Sequence, residues 1–166
     1  MKYPQIVACL VTGTIGCIFI LIGESTPQWI TYGSTLTAGL FTACGVNGCV
    51  SYIAEGGIIP AKAFVVIGFL TSAAGLIVLI VYYCKHLRND TTHKILSMVT
   101  AVLFIIAAVA SLIGPIIFAT SGKSLFETAF ERKMDLGYSF ALTIVGAIIT
   151  AIAGALALIH RLGLQN

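Results

Sequence analysis

Four stretches of the chain run apolar for about the thickness of a bilayer, at residues 6–23, 64–84, 95–119 and 138–159. A membrane-spanning helix needs about 20 mostly apolar residues. None of the four shows the period-2 alternation of a barrel strand, so each is expected to be a helix. None carries an Asp, Glu, Lys or Arg within these limits. Two longer loops, 24–63 and 120–137, fall on one side, and both termini and a short loop on the other. The pattern predicts one four-span membrane domain over residues 1–166: an all-α four-helix bundle with a small β-sheet in its first loop.

Composition agrees. The chain is 58% hydrophobic and 9% charged, against about 25% charged in soluble domains. A soluble fold this apolar would lack residues for its surface, so the lipid bilayer is the expected solvent. The net charge of +3 is scattered and makes no nucleic-acid footprint. Lys2 before the first apolar run also fits a secretory signal peptide. The run is long for one, and Gly23-Glu24-Ser25 is a poor cleavage site, so a retained span is the better reading.

Lys2, Lys85, Arg88, Lys94 and Arg161 fall on the side of the termini, and Lys62, Lys123, Arg132 and Lys133 on the other. This small bias puts both termini in the cytoplasm. Cys44 and Cys49 point the same way, because disulfides persist outside the cell. The sequon Asn89-Asp90-Thr91 would then be cytoplasmic and unused.

In the first loop, Tyr32 to Phe41 reads as short strands broken by glycines. Asn47-Gly48 is a strong hairpin signal, since both residues tolerate positive φ. The cysteines on either side would staple its arms, and so small a sheet needs a staple. The alternative is two free thiols on an exposed loop. Trp29 lies just past the first span. It reads either as an anchor at headgroup depth or as a packing anchor between sheet and helices, and position alone favours the headgroup.

Trp29, then Gly39-Leu40-Phe41, then Cys44 and Cys49, in the first loop of a four-span chain, resemble the motif of the claudin superfamily. That superfamily comprises claudins, peripheral myelin and epithelial membrane proteins, and calcium-channel γ subunits. Gly137-Tyr138-Ser139-Phe140 resembles the myelin and epithelial members. Phe41 stands where the motif has its second Trp, the cysteines are closer than usual and the loop is short, so the chain is similar to a divergent member. The resemblance implies a claudin-like fold and a plasma-membrane, non-enzymatic role. That role is cell–cell contact or junction organisation through the outer loops, with itself or another junction protein as partner. The alternative is an auxiliary subunit of a channel or receptor, modulating trafficking or gating; a third reading is myelin-type membrane organisation. Many claudins end in an apolar residue held by a PDZ scaffold; Leu164-Gln165-Asn166 matches that poorly.

The second loop is the most charged part of the chain. Phe126, Phe130 and Met134 have helical spacing there, which extends span three or makes a short helix. Phe126 and Phe130 share a face that would meet either a partner or the first-loop sheet. In span four, Gly146, Thr150 and Gly154 form a row that lets helices approach closely. Packing within the bundle is favoured over a partner helix. Pro115 is expected to kink span three. Cys84, at the cytoplasmic end of span two, is a palmitoylation candidate, with a plain lipid-facing thiol as the simpler reading.

Catalytic chemistry is missing from the pattern. There is no intramembrane acid or base of the kind that marks pumps and proton relays, no phosphate loop, no nucleophile set, and no metal or cofactor motif. His86, His93 and His160 lie at span ends or in a loop, where solvation accounts for them. Glu24, Glu55 and Lys62 flank a first loop that is otherwise neutral, so a junction protein would form a barrier rather than a charged pore.

Overall fold

A computed structural model describes residues 3–33, 36–51, 58–87, 93–130 and 133–162. The Asn89 sequon, Glu55, the C-terminal tail and the side chain of Phe130 lie outside the described residues. Among the described residues, four helices are long and apolar enough to cross a membrane. They are α1 (Tyr3–Ser25), α2 (Ile58–Leu87), α3 (His93–Ile117) and, after a short helix, α5 (Tyr138–Leu162). A π-helical turn, Phe118–Gly122, joins α3 directly to α4 (Lys123–Phe130). It begins three residues past Pro115, and Lys123 N–H bonds back to Phe118 O. Span three therefore continues as helix well past the expected residue 119.

A five-stranded antiparallel sheet crowns one end of the bundle. Its strands are β1 (Ile30–Tyr32), β2 (Leu36–Ala38), β3 (Thr42–Gly45), β4 (Gly48–Ser51) and β5 (Asp135–Leu136), in the order β4-β3-β2-β1-β5. The second loop supplies β5, which pairs Ile30 with Leu136 and Thr31 with Asp135. A two-residue strand has no periodicity, and sequence reading missed it. The β3–β4 hairpin also differs from expectation. Cys44 faces Cys49 and Gly45 faces Gly48, so Val46-Asn47 forms the turn in place of Asn47-Gly48. Gly48 follows the turn at φ +118°, a conformation that favours glycine.

The helices approach through small residues. Along α1, Gly16 and Gly23 lie against Thr150 and Thr143 of α5, and Gly13 lies against Phe104 of α3. Gly146 packs on the α1 backbone, where an added Cβ would come within 2.9 Å of Ile20 N. With no hydrophobic drive between helices in lipid, such close packing is what holds a bundle together.

Two sequence expectations are corrected at the bundle ends. Helix α1 continues to Ser25 and buries Glu24, so an acid does lie within a spanning helix. His160 is not solvated: it is buried, its Nε2 lies 2.8 Å from Tyr82 Oη, and its Nδ1 lies 3.1 Å from Gln5 Oε1. These bonds tie α5 to α2 and α1 at the end opposite the sheet. Gly146→Leu is expected to cost about 1–3 kcal/mol by overpacking, read as a lower unfolding temperature in detergent. Ile148→Leu, at an exposed position, should leave it unchanged.

Candidate contact surface

The sheet is seated on the bundle by Trp29. Headgroup anchoring, which position favoured, is overturned: the indole is fully buried. Its Nε1–H donates to Gly23 O at 2.7 Å. Its ring meets Phe118 and Phe140 edge-on, with centroids 5.0 and 5.9 Å away. Its backbone N–H donates to Ala38 O at 3.0 Å, and its carbonyl accepts from Gly137 N–H at 2.9 Å. One residue thus joins α1, β2, the start of α5 and the end of span three.

The rest of the motif sorts by depth. Gly39 passes close to the chain at Pro27, where a Cβ would come within 2.7 Å of Pro27 Cα; only glycine fits so close an approach. Leu40 is buried in the Trp29 cluster. Phe41 is exposed, and Lys62 Nζ sits 5.2 Å from its ring centroid. Lys62 therefore belongs to α2 and reaches up to the sheet, rather than flanking a loop. Cys44 and Cys49 are bonded, with Cα atoms 4.0 Å apart.

Burial falls away along the sheet. Ile30 of β1 and Ala38 of β2 are buried, whereas every residue of β4 is exposed. Val46 at the hairpin tip is 83% exposed and Val50 on β4 is 66% exposed. The outer end of the sheet is therefore an uncharged, partly apolar hairpin whose last strand has no neighbour on its far side among the described residues. An exposed strand edge presents unpaired N–H and C=O groups, a template for another chain.

The second-loop residues pack inward. Phe126 and Met134 are buried in the cluster around Trp29. Met134 lies outside the helix, held by its N–H donating to Glu127 Oε1 at 3.1 Å, while Lys123 pairs with the same oxygen at 3.8 Å. The row on α5 is also occupied within the chain: Gly146 meets α1, Thr150 is buried and donates to Gly146 O at 2.8 Å, and Gly154 meets Phe104. Cys84 is exposed near the end of α2.

Four membrane-length helices under a stapled sheet define a multi-pass membrane protein of claudin-like fold. A family model described as tight junction protein, claudin-like, matches residues 1–161, and the chain belongs to that family. No curated protein matches it.

Trp29→Phe removes the donor to Gly23 O and is expected to cost about 1–3 kcal/mol, measured as a lower thermal midpoint by circular dichroism. The double change Cys44→Ser and Cys49→Ser should cost about 2 kcal/mol through the reopened short loop. Its readout is faster proteolysis within residues 42–51, with the helices left folded.

Proposed function

We propose that this protein is a non-enzymatic component of cell–cell contacts, acting in the plasma membrane through its sheet, with both termini in the cytoplasm. The observation that carries the reading is the β3–β4 hairpin. It is stapled by Cys44–Cys49, held to the bundle through Trp29, and bears exposed Val46 and Val50 beside a strand edge that is open among the described residues. A rigid apolar edge loses little conformational freedom on binding, which favours association with a like edge on a second membrane protein. The disulfide supports an extracellular sheet, and hence cytoplasmic termini. Residues 30–51 contain no Asp, Glu, Lys or Arg, which favours a barrier over an ion-selective pore.

An auxiliary subunit of a channel or receptor is the second reading. Small-residue rows free to meet a partner helix would suit that reading. Gly146, Thr150 and Gly154 instead pack within the bundle, which favours contact through the sheet.

Expression of the tagged chain alone in non-adherent cells tests the choice. Accumulation where two expressing cells meet is expected, and Val50→Asp should disperse it without removing the protein from the cell surface. Uniform distribution, together with recovery of a stoichiometric channel or receptor in mild detergent from native tissue, would replace this reading with the auxiliary one.

A further inference from the structure

Apolar clusters fill the bundle at its two ends. One surrounds Trp29, Val65 and Phe118 beneath the sheet, and the other Phe104, Leu79 and Tyr82 toward the termini. Between them, among small apolar residues such as Ala107 and Ala147, lie buried polar groups. Glu24 of α1 is 7% exposed, and Ser72 of α2 and Ser111 of α3 are fully buried. Glu24 Oε1, Ser72 Oγ and Ser111 Oγ have no hydrogen-bond partner among the described residues. Buried polar atoms in folded proteins nearly always have one, and an orphan points to a water or an ion.

Cys17 of α1 links two of these groups, since both Glu24 and Ser72 act on its thiol. Gly68 of α2 lets Ser111 Oγ come so close that a methyl group at Gly68 would overlap it. Ser72 follows one turn along the same face of α2, with the Cys17 thiol of α1 as its one weak hydrogen-bonding neighbour. Glu24 lies two turns from Cys17, on the same face and about 10 Å nearer the sheet. Helical side chains lean toward their own N-terminus, so Glu24 reaches back toward the level of Gly68 and Ser111. Pro115 has no N–H, which leaves the Ser111 carbonyl without its helical donor and adds another oxygen at Ser111.

A carboxylate in such a setting must be protonated, paired or bound to a cation. No Lys or Arg is among the described buried residues, and the buried His160 sits at the far end of the bundle. The other titratable group on this face of α1 is Cys17; Ser72 and Ser111 do not titrate. The donors are hard oxygens with a single negative charge among them. That suits a small monovalent ion, since divalent ions recruit several carboxylates.

We propose that Glu24, Ser111 and Ser72 form an internal site for a small monovalent cation, sodium or a proton, completed by water. When sodium enters, the carboxyl proton leaves to solvent and the site stays neutral. Glu24 neighbours Gly23, whose carbonyl holds Trp29, so occupancy bears directly on the seat of the sheet.

The test is thermal unfolding of the full chain in detergent, followed by fluorescence of Trp29, the single tryptophan. Sodium chloride is compared with N-methylglucamine chloride at equal ionic strength, at acid and alkaline pH. At alkaline pH, sodium should raise the midpoint by about 5 °C. At acid pH the two salts should agree, because the proton already occupies the site. Glu24→Gln should unfold at one temperature in both salts at either pH, and Ser111→Ala should reduce the sodium shift. Stabilisation by acid with no sodium effect would assign the site to the proton. Indifference to both cations, or a sodium effect that survives in Glu24→Gln, would overturn the proposal. Should the variants fail to fold, infrared difference spectra of the unmodified chain decide. A protonated-carboxyl band that sodium or alkali removes supports the site, and a spectrum unaffected by either rejects it.

Discussion

The hydrogen bond from the Trp29 indole to the carbonyl of Gly23 is the contact on which the outer half of the molecule depends. It fixes an aromatic ring at the junction of α1, the sheet and the span-three extension. A buried indole N–H needs a partner, and its ring contributes large apolar burial at the same time. The surrounding backbone bonds follow from that placement. Ala38 and Gly137 both bond to the Trp29 main chain, so two separate loops share one sheet. Thr26 and Ser139, whose hydroxyls lie 2.6 Å apart, reinforce the same corner.

Below that corner the bundle follows a different rule. Lipid offers no hydrophobic reward for bringing apolar helices together, so contact area and polar satisfaction decide which faces meet. Gly13, Gly16 and Gly23 on α1 and Gly146 on α5 allow that contact. Hydroxyls that bond back to their own helix, such as Thr143 to Ser139 O and Thr150 to Gly146 O, add interior polar groups without leaving them unpaired. Against that background Glu24, Ser72 and Ser111 stand out, because each buries a polar atom with no hydrogen-bond partner among the described residues and none belongs to either apolar cluster. The Tyr82–His160–Gln5 set at the far end shows the contrasting solution, in which buried polar groups partner one another.

Exposure on the outer side is concentrated in the hairpin. The helices hold a rigid platform and the first loop carries its exposed edge. Phe126 and Met134 of the second loop serve as filling beneath the sheet, and Asp135-Leu136 as its last strand. The exposed part of the outer loops is therefore narrower than the two loops taken together.

Sequence alone determined the features whose cause is local. The bilayer's thickness sets helix length, so four spans were visible as four apolar runs. The hairpin was visible because Cys44, Asn47, Gly48 and Cys49 lie within six residues, and the motif from Trp29 to Cys49 carried the family resemblance. Tertiary structure decided what depends on the residue opposite. Whether Trp29 faces headgroups or Phe118, whether His160 meets water or Tyr82, and whether Glu24 ends a loop or enters the bundle are settled by long-range packing. The same holds for β5, whose two residues become a strand only because Ile30 and Thr31 lie beside them. A side chain's periodicity tells which face of its own helix it occupies, and only the neighbouring helix decides whether that face meets water, lipid or a hydrogen-bond partner.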